Sequence, residues 1–341
     1  RPTQPDPGSA EQRVRTLLDH APDAIVMLDV ETGRFIDANL MAEKLFGMPR
    51  ETLLEAGPFE LSPPRQPGGA SCRLARERIA ETLEGGATSF EWWHRNARGE
   101  RFPCDVHLER IPWENRVIIR GSIMESSGRK LLELSEVSQS KILQMIARGA
   151  TLSETLEQHV QTVEDLLPGL ICSVLLLDQE ANCLRLGAAP RLPTFYNEAV
   201  DGLQIGPTMG CCGAAAFTGQ RVIAADVNEH PNWTNYREVA ERAGIRACWS
   251  EPILSLAGTV LGTFAMYYHE PIEPAPVELK AIQTAAQTVS VAIERVRAHN
   301  LLKELNNTLQ RRVALETRYL LEANEKLRST EQELRLAAVA F

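Results

Sequence analysis

The sequence predicts an α+β chain of two successive domains, each an antiparallel sheet flanked by helices, ending in a long coiled-coil helix. Three observations predict it. A chain of 341 residues is too long for one ordinary core, so two domains with linkers are expected. Short apolar strands alternate with amphipathic helices and glycine-marked turns over the first 270 residues. From Glu273 to Phe341 there is no glycine and no proline after Pro276, and apolar residues recur in helical steps.

The elements follow in order. Residues 1–10 are rich in proline and polar residues and read as a flexible lead-in. Glu11 to His20 reads as a short helix, Ala24 to Asp29 as a buried strand, Gly33 as a positive-φ turn, and Arg34 to Ala38 as the returning strand. Asn39 is placed to cap a helix over Leu40 to Phe46, which Gly47 ends. A Pro-rich loop over Ser62 to Gly69 precedes a helix from Ala70 to Leu83. Strands follow at Ser89 to Asn96, Glu100 to Arg110 and Arg116 to Met124. Arg129 to Arg148 is a connecting helix. Thr151 and Glu154 then start a second helix, to Leu167, in capping-box style.

Strands at Ile171 to Asp178 and Cys183 to Ala188 lead into a loop over Ala189 to Thr208. Cys211 to Thr218 suits a helix of small residues, Arg221 to Ala224 a strand, and Trp233 to Ala243 a helix. The two most strand-like runs, Ala247 to Leu254 and Val260 to Tyr268, meet at Gly258. The terminal helix begins near Pro274. Leu320, Leu327, Leu334 and Phe341 form a seven-residue row, while Ile282, Ala286, Val289, Ile293 and Val296 step by three and four. Unbroken, this helix would extend on the order of 100 Å, more than any globular core needs. The abrupt end and the missing initiator methionine read as a piece of a longer protein, a transmitter whose receiver follows Phe341.

Composition bounds the function. A net charge of −9 argues against a broad nucleic-acid footprint. No apolar run of about 18 residues and no signal peptide occur, so the expectation is a cytoplasmic segment without membrane insertion. Seven scattered cysteines fit reduced thiols. No Ser/His/Asp array, phosphate loop, kinase phosphoacceptor or close-spaced metal framework is apparent, so neither a catalytic nor a metal site is expected.

Residues 11–128, through LLDHAPDAIVMLDVETGRFIDANLMAEKLFG and FEWWHRNARGERFPCDVHLERI, resemble a PAS domain. The resemblance implies a pocket between sheet and helices, with Trp92, Trp93, His94 and His107 as candidate lining residues. Trp92 and Trp93 must face opposite sides of the sheet. No Asn-Cys-Arg-Phe run of flavin photosensors and no histidine on the long helix occur, so haem is disfavoured. A flavin stacked on an indole is compatible with the residues but unsupported, and plain packing is the simpler role. At the exit, where the family carries Asp-Ile-Thr, Glu125 stands as the acidic switch residue.

Residues 129–150 form the linker helix. Residues 151–273 resemble a GAF domain, through CSVLLLDQEANCLRLGAAP and IGPTMGCCGAAAFTGQRVIAADVNEHPNWTNYREVAERAGIRACWSEPILSLAGTVLGTFAMYYHEPIEP. The resemblance implies a pocket roofed by Gly210 to Ile245, with Cys211, Cys212, Asp226, His230, Trp233, Tyr236, Cys248 and Trp249 as candidate ligand residues. The cyclic-nucleotide constellation and the Cys-His pair of bilin carriers are absent. Cys211 and Cys212 in a first helical turn would feel the helix dipole and have lowered pKa values. Small residues packing a helix on a sheet is the blander account. The alternative of a thiol enzyme like free-methionine-sulfoxide reductases explains only the cysteines.

Residues 274–341, the signalling helix, pair with a second copy in this reading, with Asn324 beside the seam. The implied function is a bacterial sensory region for a small-molecule or redox signal, ahead of a diguanylate cyclase or phosphodiesterase of cyclic-di-GMP signalling, with a histidine kinase as the alternative output.

Overall fold

The computed structural model describes residues 7–113, 116–167 and 169–339. Helix α1 (Pro7–Asp19) starts upstream of the expected Glu11, inside the stretch read as a flexible lead-in. Residues 1–6 of that lead-in, and Phe341, lie outside the described residues.

Strands β1 (Ala24–Asp29) and β2 (Phe35–Ala38) pair antiparallel around Gly33, at φ 70°. Asn39 then organises the corner. Its side-chain oxygen accepts from the Ala42 N–H at 2.9 Å, capping α2 (Leu40–Phe46). Its amide donates to the carbonyls of Leu18 and Asp23 at 2.8 and 3.0 Å, tying the end of α1 to the sheet. Gly47 closes α2 at φ 65°.

A short α3 (Arg50–Glu55) and a two-residue hairpin, β3 (Arg65–Gln66) with β4 (Gly69–Ala70), follow; the hairpin lies in the stretch read as a Pro-rich loop. After α4 (Ser71–Gly85) comes the meander β5 (Ala87–Arg95), β6 (Arg101–Trp113) and β7 (Arg116–Glu125). The five-stranded sheet is antiparallel throughout, in the order β2-β1-β7-β6-β5. Alternate residues such as Val26, Leu28, Val106 and Ile123 face Phe46 and Leu53 of the covering helices.

Helix α5 (Ser127–Ala147) leads to α6 (Leu152–Leu166), whose start is a reciprocal capping box. The Glu154 N–H donates to Thr151 Oγ1 at 3.3 Å, and the Thr151 N–H donates to Glu154 Oε2 at 2.7 Å. A six-stranded antiparallel sheet follows: β8 (Ile171–Asp178), β9 (Cys183–Ala188), β10 (Leu203–Gln204), β11 (Val222–Ala224), β12 (Ala247–Leu254) and β13 (Val260–Tyr268), ordered β10-β9-β8-β13-β12-β11. The stretch read as a loop over Ala189 to Thr208 holds α7 (Thr194–Val200) and β10. After α8 (Gly210–Thr218), the single helix expected over Trp233 to Ala243 is a 3-10 turn, Pro231–Trp233, followed by α9 (Arg237–Arg242).

Two cores sandwich this second sheet. On one face, α5, α6 and the start of α10 (Pro276–Val339) pack Leu156, Val163, Trp249, Phe264, Ile282 and Val289. On the other, α7, α8 and α9 cover Leu175, Tyr196, Cys211, Trp233, Cys248 and Tyr267. Helix α10 spans 64 residues, about 96 Å at about 1.5 Å per residue. Among the described side chains Val296 is the last buried one, and every side chain from Arg297 to Thr330 is exposed.

Candidate functional site

The cavity that the sequence placed under the second domain's roof is built around the start of α8. Cys211 and Cys212 occupy its first turn and are buried against β12 and β13. The Cys211 thiol donates to the Cys248 carbonyl at 3.3 Å and accepts from Trp233 Nε1 at 3.2 Å, so the indole is pinned to the helix it covers. The Tyr236 hydroxyl donates to the Met209 sulfur at 3.4 Å, and the Trp233 and Tyr236 rings meet edge to face. Beneath them Cys212 lies 3.9 Å from the Tyr267 hydroxyl, which shares a 2.9 Å hydrogen bond with Ser173. The cavity left between Tyr196, Cys212, Trp233, Tyr236 and Tyr267 measures about 30 Å³, room for a water molecule or two.

Electrostatics single out one thiol. The Cys212 pKa is lowered by the polar groups facing it, Cys248 first, then Ser250, Tyr267 and Thr263, against the opposing effect of burial. Burial pushes the Cys248 thiol well above its ordinary range. Ser250 Oγ and Thr263 Oγ1 are wholly buried and have no hydrogen-bond partner among the described residues. The cavity is thus lined by the Cys211 and Cys212 thiols of α8 and the Tyr267 hydroxyl of the sheet, with aromatic rings as its walls. Such a mixture can orient a small, partly apolar molecule.

Not every expected residue reaches this cavity. Trp249 neighbours Cys248 on β12, and strand alternation turns it to the opposite face, where its ring lies 4.5 Å from that of Tyr268. Asp226 shapes the roof from outside: it accepts from the Asn228 N–H and pairs with Arg246 at 2.9 Å. Its pKa is lowered by these bonds against desolvation. His230 caps the 3-10 turn, its Nδ1 accepting from the Asn232 N–H at 3.3 Å. Tyr196 and Tyr267 were missed. Tyr267 lies on a strand two residues before His269, where an inward hydroxyl could have been read from alternation with Ala265.

In the first domain, Trp92 and Trp93 do face opposite sides. Trp92 is buried in the core and donates to Ser62 Oγ at 2.8 Å. Trp93 lies under the Arg101 guanidinium, 5.5 Å from its ring centroid. His94 is buried with Nδ1 bonded to the Leu61 carbonyl at 3.1 Å and its ring edge-on to Phe46. Its Nδ1 therefore carries the proton, Nε2 has no partner among the described residues, and burial lowers its pKa to about 4. His107 is on the surface, bonded to Ser89 at 2.8 Å.

Glu125 is exposed at the end of β7, with no side-chain hydrogen bond among the described residues. The exit is tied instead by Arg129, which grips Asp105 through two 2.8 Å hydrogen bonds, and by Lys130 with Glu91 at 2.6 Å. Asn324 is exposed on the distal part of α10. Among the described residues, no group of three or more His, Cys, Asp or Glu is disposed to hold a metal ion, and no helix is long and apolar enough to cross a membrane.

Residues 22–125 match the PAS domain family and residues 149–294 the GAF domain family. The chain is thus a PAS domain followed by a GAF domain, with a long helix after them. A methyl sulfide methyltransferase-associated sensor of Methanosarcina acetivorans is 41% identical over 188 residues, 55% of this chain; the match spans only 19% of that relative's length. Among solved structures, a PAS domain from Colwellia psychrerythraea is 24% identical, covering 34% of this chain and 96% of that one, with a TM-score of 0.30. The free methionine-R-sulfoxide reductase of Neisseria meningitidis is 17% identical, covering 50% of this chain and 90% of that one, with a TM-score of 0.39.

Proposed function

We propose that this PAS–GAF chain is the sensory region of a cytoplasmic signalling protein, taking a small molecule or redox signal into the GAF cavity and passing it along α10. One observation carries the reading. On one face, β13 presents Tyr267 to the cavity and β12 packs Cys248 in the core around it; on the other, Trp249, Phe264 and Met266 enter the core shared with α10. A ligand that spreads the roof of so small a cavity must move these strands, and packed cores answer such shifts by discrete repacking. The 41% identical relative is itself named a sensor, which supports the same reading.

The chain acts as a homodimer through α10 and addresses a signalling enzyme rather than catalysing a reaction itself. Cyclic-di-GMP synthesis or hydrolysis is the output favoured by the sequence resemblance, and a histidine kinase is the second. Fusing α10 in register to each enzyme and assaying ligand-dependent activity separates the two. The thiol-enzyme reading has one favourable feature, the lowered Cys212 pKa. Rapid iodoacetamide labelling of Cys212 with turnover of a sulfoxide would support it.

The sensory proposal is tested by mass spectrometry of small molecules released from purified protein, followed by thermal shift with each compound found. A specific ligand present far above its Kd raises Tm, and Tyr267→Phe or Trp233→Ala should remove that rise. A ligand whose shift survives substitution at Cys212, Trp233, Tyr236 and Tyr267 would refute the GAF assignment.

A further inference from the structure

Arg101, the first residue of β6, reaches out of the PAS sheet to the root of α10. Its Nη2 donates to Glu278 Oε2 at 2.7 Å and to the Glu273 carbonyl at 2.9 Å. Both side chains of the pair are largely withdrawn from water, 19% and 6% exposed. Glu278 is the third residue of α10, and the same carboxylate accepts from the Ala275 N–H at 2.7 Å and from the Tyr268 hydroxyl at 3.0 Å. A carboxylate there satisfies an otherwise orphaned helix N–H and meets the positive end of the helix dipole. One carboxylate thus joins the start of the long helix, the last strand of the GAF sheet and the PAS hairpin.

The surroundings fit a mechanical joint. The pair stands at the edge of a cleft of about 610 Å³ between the two domains, lined also by Trp93, Lys130 and Tyr268. Arg101 directly precedes Phe102, whose ring packs against Phe46 and His94 in the PAS core. A rearrangement of that core therefore displaces the guanidinium. The other ion pair joining the domains among the described residues, Arg65 with Glu270 at 2.8 Å, is 61% and 47% exposed, and exposed pairs contribute little.

We infer that Arg101 is a positioning residue through which the PAS domain sets the start of α10 directly, in parallel with the covalent route through α5. The two inputs then converge on one helix, the PAS domain at its first turn through Arg101 and Glu278, the GAF domain over the following turns through the core behind β12 and β13. The joint goes beyond the ligand reading of the GAF cavity, and its test uses no ligand, so either can fail without the other.

The test is amide hydrogen exchange in the full chain, comparing Arg101→Ala, Arg101→Lys and Arg65→Ala with the parent. Arg101→Ala should speed exchange of amides 278–284 by about ten-fold or more, while β12 and β13 keep their protection. Arg101→Lys restores the charge and should recover part of the protection; Arg65→Ala should change nothing there. If Arg101→Ala impairs PAS folding, Arg101→Met, which keeps an aliphatic stem, carries the same measurement. Unchanged exchange at residues 278–284, or an equal rise in Arg65→Ala, overturns the inference.

Discussion

His94 and His159 carry the clearest pH signature of the molecule. His94 is buried in the PAS core, and His159 of α6 bonds to the Ala285 carbonyl of α10 at 3.2 Å, with burial lowering each pKa to about 4. The unfolded chain takes up protons at these rings below about 6.5, whereas the folded chain does so only near 4. Stability from this source is therefore complete above pH 6.5 and is lost as pH falls towards 4. The loss is roughly 3 kcal/mol per ring. Denaturant melts at stepped pH should show it, and His159→Gln should flatten the slope of the GAF transition; a transition insensitive to pH between 7 and 4.5 would refute the assignment. A second residue-scale prediction concerns the roof. Cys211→Ala strands the Trp233 indole N–H and should cost about 1–3 kcal/mol, whereas Cys211→Ser, which keeps an acceptor, should cost less in the same melts. At this scale the sequence was only half legible. Alternation assigned Trp92 and Trp93 to opposite faces, and the same rule applied to Cys248 and Trp249 would have removed Trp249 from the cavity. Arg101 and Glu278 lie 177 positions apart, and nothing local in the sequence marks either as the other's partner.

Elements whose ends carry their own chemistry were legible to the residue. Asn39 and Gly47 bound α2, Thr151 with Glu154 starts α6, and Gly258 turns β12 into β13. The short helices α3 and α7 were not anticipated. At six and seven residues they are below the length that propensity sustains, and burial of Leu53 and Tyr196 holds them in place. The helix expected over Trp233 to Ala243 breaks because the turn that pins Trp233 to Cys211 must end before α9 can start. The sheet of the GAF domain makes a sharp element-scale prediction at Gly262 in β13. A Cβ there would stand within 2.1 Å of the Leu175 backbone carbonyl on β8, and a ladder strand cannot yield to it. Gly262→Ala should destabilise the GAF domain by about 3 kcal/mol or more, read as loss of its unfolding transition while the PAS transition remains. A GAF midpoint within error of the parent would show that β8 and β13 can separate more easily than their register implies.

For the whole molecule, the decisive feature is how α10 changes role along its length. Up to Val296 its large apolar side chains, Val291 excepted, are buried or half-buried against the GAF domain; beyond it Leu305, Leu309, Val313, Leu320 and Leu327 are each at least half exposed. A lone helix with a wet apolar stripe gains little from propensity alone, so the proposed pairing with a second copy supplies what the monomer lacks. The stripe steps by four from Leu309 to Val313 and by seven from Leu320 to Leu327, a phase shift that locally unwinds a supercoil. The side chain of Leu334, the next in the row, lies outside the described residues. Asn324, three residues before Leu327, sits where a buried amide would favour one register. A rotation imposed at the root by Glu278, or by the GAF sheet, would then travel as a change of phase along the seam. Sedimentation should accordingly give a dimer at micromolar concentration, and Leu309→Asp with Leu320→Asp should convert it to a folded monomer with both domain transitions intact. A single cysteine at Leu327, in a background with the exposed Cys72 replaced by serine, should cross-link between chains, while one at Arg328 should do so more slowly. A monomeric parent, or cross-linking that ignores the seam, would leave α10 as a helix without a partner and the transmission proposal without its route.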